Sequence, residues 1–529
     1  MKDQSDWALA LGVNRFVYHT FAHKPLGDQH RPGMTMGPYG VHWDRGQTWW
    51  PMVEAYHKYI SRSSHMMQQG QAVSDILYLT PEGSPMVFRS PNDALKENGA
   101  IPDKKGFGFD GCSPKMLIER ASVENGKIVF PGASSYEIMV LPNFETMTPE
   151  LLLKITSLVE NGAKIIGNPP LKSPSLVDYP NCDNKVKTLA EKLWGTAQVP
   201  VNRSERKYGE GTIYWGGKLR NNTCDDLYPA YENTKNLLRQ LNIYEDFTSS
   251  NNNIRFGHRK TAGKDIYFIA NRTESFQTTD CVFRIEGEPE LWNSVTGESR
   301  RIADYSVENG FTSIPLEFFP YESFFIVFSG DKKYGVNAKN GKGNFPGFNK
   351  FKTIEGTWNV SFDSNFGGPD NIEFKELQDW TKHEMRGIKY YSGIATYKKT
   401  FDIDELENKK YFINLGIVND IARVKLNGKN IGVVWCAPWR IDISGALIEG
   451  ENKLEIEVAN RWINRLLGDK SEPEEYMRTI KFDKGLMGGQ EYKTGRYTFT
   501  TKSAMSSFRF TEPLSSGLLG PVTILETIR

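Results

Sequence analysis

Near residue 250 the hydrophobic period of this 529-residue chain changes, and it does not change back. Before that point short apolar runs alternate with amphipathic helices; after it, runs of strand length with period two succeed one another between Gly, Pro and Asn. One core cannot serve both patterns at this length. The chain is therefore expected to be multidomain, α/β first and all-β afterwards.

In the α/β part, 71–249, residues 74–79 (SDILYL) and 137–141 (EIMVL) read as buried strands. Thr148 is placed to cap a helix with Pro149 at its first position, a stripe of Leu151, Leu152, Ile155, Leu158 and Val159, and Asn161-Gly162 at its end. Residues 163–167 (AKIIG) then form the next strand, so a right-handed crossover between parallel strands is expected. Residues 211–215 and a helix near 226–241 would complete an open sheet, Rossmann-like or flavodoxin-like. The region has no GxGxxG or GxxxxGK[ST], which favours a scaffold and argues against a nucleotide cofactor.

The β part divides in two. Residues 250–330 read as a small β-sandwich, 331–350 (rich in Gly, Asn and Lys) as a linker, and 351–529 as a larger sandwich of jelly-roll type. Asn427-Gly428 between two strand-like runs predicts a tight I′ hairpin, because both central residues of that turn need positive φ. Trp435, Pro438, Trp439 and residues 460–465 fall at strand ends, where a sandwich can meet a sugar or a neighbouring domain.

Residues 1–70 are the most informative. Six of the eight histidines lie there (His19, His23, His30, His42, His57, His65), with Trp43, Trp49 and Trp50, a concentration of hydrogen-bonding rings that suits a sugar pocket. Residues 13–21 read as a buried strand running into a polar loop. A helix comes next, capped by Thr48, with Pro51 near its start, Trp49, Val53, Tyr56 and Ile60 on one face, and Gly70 at its close. Strand, loop and helix make one β/α unit, and in a (β/α)8 barrel such loops carry the active site. One unit cannot close a barrel, so the chain is expected to be the C-terminal part of a larger enzyme whose barrel segment, and any localisation signal, lie upstream.

Composition removes other classes. A net charge of +1 gives no reason to expect nucleic acid or an anionic membrane as partner. Five scattered cysteines without CxxC spacing argue against a disulfide framework and a zinc site. No stretch of about 18 apolar residues and no apolar leader pattern occurs, so neither a membrane span nor a signal peptide is read. Aromatics at 12% favour ring-stacking surfaces, although sandwich cores consume them too.

The blocks GVNRFVYHTFAHKP, PGMTMGPYG, WDRGQTWW, YISR and QQG resemble the end of the catalytic domain of glycoside hydrolase family 106, the α-L-rhamnosidases. The later segments WNVSF, YYSGIATY, NLG, VKLNGKNIGVVW, PW and NRWINRLLGD are similar to that family's C-terminal sandwich and to the galactose-binding-like domain of β-galactosidase-like hydrolases. The resemblance implies removal of terminal α-linked L-rhamnose from plant polysaccharides or glycosides with inversion, calcium in the sugar site, and a periplasmic or secreted full-length enzyme. Inversion needs an acid and a base carboxyl about 6.5 to 9.5 Å apart. Both are expected upstream of Met1, so no catalytic residue is assigned here and the isolated chain is expected to be inactive.

Substrate contacts are expected from His19 and His23, from Asp44 and Arg45 as a clamp for a vicinal diol, and from Trp49 against the apolar face of a deoxy sugar. Asp44 could instead help hold a hard cation. Blander roles stand beside these: a hydrogen-bonded structural pair for the histidines, a loop ion pair or cap for Asp44-Arg45, and helix packing for Trp49. Two other functions remain open, a non-catalytic carbohydrate-binding module and a β-galactosidase-like glycosidase with another sugar.

Overall fold

The computed structural model describes residues 1–24, 26–34, 42–83, 87–96, 103–132, 134–220, 226–330, 343–481, 488–500 and 512–528. Two helices, α1 (Lys2–Ala10) and α2 (Glu54–Met67), and the loop between them precede the first sheet. Strand β1 (Ile76–Leu79) of that sheet is buried at all four residues, as befits a strand covered on both faces. It pairs in parallel with β2 (Phe109–Cys112) on one side and β3 (Ile138–Val140) on the other. The sheet continues through β4 (Lys164–Ile166) to β6 (Gly211–Trp215), with β5 (Ser204–Tyr208) antiparallel at the edge. The parallel strands run in the order β2-β1-β3-β4-β6, the flavodoxin-like arrangement.

Helix α3 (Pro149–Glu160) begins where its sequence says it should. The Thr148 hydroxyl accepts from Leu151 N at 3.3 Å, and Thr148 N donates to Glu82 at 2.7 Å. Helix α4 (Asn181–Trp194) comes next, and α5 (Tyr231–Gln240) is shorter than the expected 226–241.

The second domain is a two-sheet sandwich built on β7 (Ile254–Lys260), β8 (Lys264–Asn271), β9 (Gln277–Phe283), β10 (Phe311–Phe318) and β11 (Ser323–Ser329). Strand β8 is buried at seven consecutive residues because both its faces are covered. Tyr267 and Ile269 face the sandwich core, whereas Ile266, Phe268 and Ala270 face α1 and α2.

Of the expected linker, 331–342 lies outside the described residues, and its end is already strand: Phe348–Thr353 pairs with Thr523–Thr527. That pair belongs to a second sandwich, whose six-stranded sheet includes β12 (Ile394–Ile403), β13 (Ile421–Leu426), β14 (Lys429–Val434) and β15 (Gly450–Ala459). Asn427 and Gly428 join β13 to β14 with φ of 51° and 77°, both positive as the I′ turn requires. Trp358, Trp380, Tyr391 and Tyr397 centre its core. Among the described residues no helix is long and apolar enough to cross a membrane.

The expected β/α unit at 1–70 is corrected. Residues 13–21 form no ladder among the described residues, because their inner side is occupied by α2 and not by a neighbouring strand. Thr48 does not cap the helix: a 3-10 turn (Trp50–Met52) comes first, α2 starts after Val53 without a side-chain cap, and the Thr48 hydroxyl donates to the Asn460 carbonyl. Helices α1 and α2 form a wedge on the outer face of the small sandwich. Leu9, Tyr56, Tyr59, Ile60 and Met67 supply its apolar contacts.

Candidate functional site

The stretch from Val13 to Lys24 alternates strictly between exposed odd positions and half-buried even ones, the pattern of an extended chain laid on a surface. Phe16 and Tyr18 pack inward, and the Thr20 carbonyl accepts from Trp43 N at 2.9 Å. The outward row is Val13, Arg15, Val17, His19, Phe21 and His23. Val17 is 90% exposed and Phe21 75%, an unusual display for such side chains. His19 and His23 share this open face and have no hydrogen-bond partner among the described residues. They are presented to solvent, and the structural-pair role does not describe them.

Asp44 and Arg45 diverge. Asp44 is buried; its Oδ1 accepts from Gly46 N at 2.7 Å and its Oδ2 lies 3.3 Å from Lys24 Nζ, itself buried. Lys24 Nζ also donates to the carbonyls of Pro32 (2.9 Å) and Met34 (2.6 Å), so one ammonium ties three parts of the loop together. Burial pushes the Lys24 pKa down while the Asp44 carboxylate opposes that shift. Arg45 turns outward and donates from Nε to Asp28 Oδ1 at 2.9 Å in an exposed pair. The expected diol clamp from two adjacent residues is therefore not assembled; Asp28 takes the place of Asp44 beside the guanidinium.

Trp49 is half-buried among Trp43 (5.1 Å between centroids), Trp50, and the cluster of Met52, Ile421 and Ala459. It packs a junction between the opening segment and the large sandwich. Trp43 stacks on Tyr18 at 4.3 Å and donates its indole N–H to His57 Nε2 at 2.7 Å. The His57 ring must then accept at Nε2, which agrees with burial pushing its pKa down. Trp435 meets Tyr56 edge-on at 5.3 Å, and Trp462 donates to the Gly46 carbonyl, so these strand-end tryptophans contact a neighbouring domain.

A narrow cleft lies between the Lys24–Arg31 loop and Phe499 of the large sandwich. Pro32 and Gly33 pair in parallel with Phe499 and Thr500 there, and His30 stands edge-on to the Phe499 ring at 6.2 Å. Burial, with Arg478 adding to it, pushes the His30 pKa down. Lys24, Asp28 and Phe499 are not legible as site residues in the sequence, since only the fold brings them to Asp44, Arg45 and His30. Both carboxylates of the cluster are committed to cations, Asp44 to Lys24 and Asp28 to Arg45 and Arg31. The arrangement can offer imidazoles and an ion pair to hydroxyl groups, but among its described residues it holds no spare carboxyl for proton transfer.

Calcium does not fit these residues. A hard cation needs about six to eight oxygens, and the open Asp44 oxygen already faces an ammonium. Among the described residues there is no group of three or more His, Cys, Asp or Glu able to hold a metal ion.

Residues 1–307 match the family model described as alpha-L-rhamnosidase, and 380–496 match the galactose-binding domain-like model of glycosyl hydrolase family 2. A solved rhamnosidase from Novosphingobium sp. PP1Y superposes with a TM-score of 0.79 at 29% identity, covering 99% of this chain and 46% of that one. A relative from Formosa agariphila named "Putative beta-glucuronidase" is 26% identical over 99% of this chain and 61% of its own length. A beta-galactosidase from Clostridium acetobutylicum is 34% identical over 102 residues, 18% of this chain and 11% of the relative. The chain thus spans less than two thirds of each of these proteins.

Proposed function

Since the chain belongs to the alpha-L-rhamnosidase family, glycoside hydrolase family 106, we propose that it is part of an inverting glycosidase that removes terminal α-linked L-rhamnose from polysaccharides or glycosides. The observation that carries this reading is the family match across residues 1–307, which contains the loop from Lys24 to Arg45 in full. The likeness to a solved rhamnosidase over 99% of the chain supports it. In this reading His19 and His23 meet substrate hydroxyls from their open face, the Asp28–Arg45 pair offers a second polar contact from the cleft it lines with His30, and Asp44 and Lys24 hold that loop in shape.

Inversion requires one carboxyl to protonate the leaving oxygen and another to activate water. Asp28 and Asp44 are both bound to cations, so this reading assigns neither role to them and expects both carboxyls from a barrel segment of the kind that the longer relatives have room for. The test is an assay of aryl glycosides on the isolated chain and on a protein that joins it to such a barrel. The joined protein should cleave an α-L-rhamnoside and the chain alone should not. Turnover by the chain alone would refute the external carboxyls.

The name of the Formosa agariphila relative favours a second reading, a β-glucuronidase of the same architecture. Cleavage of an aryl β-D-glucuronide but not of the α-L-rhamnoside would decide for it.

A further inference from the structure

Beyond β6 the chain turns at Gly216 and Gly217, which take φ of 71° and 54°. A side chain at Gly216 would strike the Asn202 carbonyl and one at Gly217 the Arg203 amide, so the loops before β5 and after β6 lie directly against each other. Together with α5 they wall an open groove at the carboxyl end of the parallel sheet, the end at which open α/β sheets bind ligands.

Arg203, Lys218 and Arg220 line this groove, all exposed and none within ion-pair distance of a carboxylate among the described residues. Arg203 donates to Gln240 Oε1, and Arg239 closes one end, paired with Glu245 at 2.5 Å. Asn202, Asn233 and Asn236 add amides, and no Asp or Glu is among the lining residues. In a chain whose net charge is only +1, three cations on one concave wall without a carboxylate partner among the described residues make a local positive field that draws anions in. Guanidinium groups match carboxylate and sulfate oxygens two at a time, and side-chain amides pair with hydroxyls in either sense. No aromatic ring lines the groove, which removes the stacking platform that single-stranded nucleic acid needs.

We propose that this groove binds an anionic stretch of polysaccharide through its uronic carboxylates or sulfate esters, holding the polymer on the protein apart from the site of hydrolysis. The inference rests on reading the protein as a polysaccharide hydrolase, and its test reads binding without turnover. In affinity electrophoresis at low salt the full chain should be retarded by polygalacturonate or by dextran sulfate, the difference between them identifying the anion, and should pass neutral dextran unhindered. The double variant Arg203→Glu/Lys218→Glu, both on exposed side chains, should bind the retarding polymer at least about tenfold more weakly, as charge reversal at a contact demands. Its melting temperature should be unchanged. Equal retardation of wild type and variant, equal retardation by neutral dextran, or stronger retention on single-stranded DNA would each overturn the proposal. Failure of the barrel-joined protein to cleave the rhamnoside, with retardation intact, would instead count against the hydrolase reading alone.

Discussion

Trp462 of the large sandwich donates its indole N–H to the carbonyl of Gly46 at 2.7 Å, two residues beyond the buried Asp44. Two turns of chain separated by four hundred residues are thereby locked edge to edge, with Thr48 and Asn460 making the adjacent bond. Replacing Trp462 by Phe keeps the ring contact with Phe366 but leaves a buried carbonyl unpaired, and should cost about 1 to 3 kcal/mol in denaturant unfolding. A midpoint indistinguishable from wild type would mean that the bond contributes nothing.

The Lys24–Asp44 pair makes a sharper prediction. Asp44→Ala strands a buried ammonium and should cost about 3 to 5 kcal/mol, more than an exposed loop ion pair ever does. Lys24→Met combined with Asp44→Asn removes both charges and should recover much of that loss by thermal unfolding. If the double variant is as unstable as Asp44→Ala, the pair is not what holds the loop.

By contrast His19→Ala and His23→Ala should leave stability within about 0.5 kcal/mol, since both rings face solvent. In a protein that cleaves the α-L-rhamnoside the same changes should lower kcat/KM by about tenfold or more, a transition-state loss near 1.4 kcal/mol. Kinetics equal to wild type for both variants would remove the histidines from the site.

A pH dependence arises at the junction of the sheet and the small sandwich, where Arg284 donates to Asp75 Oδ1 at 2.8 Å. Burial pushes the Asp75 carboxyl up to about 6; Arg284 opposes that shift and Asp246 adds to it. Because the folded protein holds this proton more tightly than the unfolded chain, the group stabilises at acid pH and that contribution fades as pH rises from about 4 to 6. Its neighbour His258, bound between Asp246 at 2.8 Å and Asp265 at 3.0 Å, titrates higher than usual despite burial and stabilises below its raised pKa. Asp246 titrates lower than usual and matters only under more acidic conditions. Melting curves between pH 4 and 7 should therefore show Asp75→Asn gaining on wild type as pH rises, by up to about 3 kcal/mol. Parallel curves would place the Asp75 carboxyl in its ordinary range.

Calcium should leave the melting temperature of this chain unchanged, and a chelator likewise, because the buried carboxylate of the loop already faces Lys24. A calcium-dependent rise of several degrees would reveal a site that these residues do not show.

How far the fold is legible in the sequence depends on where each partner lies along the chain. The parallel strands at Ile76–Leu79 and Lys164–Ile166 are nearly continuous apolar runs because helices cover both faces, and Thr148-Pro149 marks its helix by purely local chemistry. Strand β2 is not legible because its sequence, FDGC, has neither a long apolar run nor alternation. Helix α1 is hidden for a different reason: its buried face is polar, with Lys2 bonded to Asp6 at 2.6 Å and Asp6 accepting from Tyr59. At the site, the sequence marks His19 and His23 as polar rings in an apolar stretch, but their outward aim is not legible, because Val17 and Phe21 share their face and a strand with those residues reads as buried. The burial of Asp44 is not legible either, since its ammonium partner lies twenty residues away across an irregular loop, and the packing of Trp49 depends on Ile421 and Ala459 in the other half of the chain.

Whoever divides this polypeptide into fragments for expression will meet the two-helix wedge first. A cut after residue 70 would leave Phe268, Phe325 and Val327 on the small sandwich, and Trp435 and Ile421 on the large one, as oily patches facing water. Such fragments should aggregate unless detergent or a synthetic copy of the first seventy residues is supplied, because the opening segment is the cover that keeps water from both sandwiches.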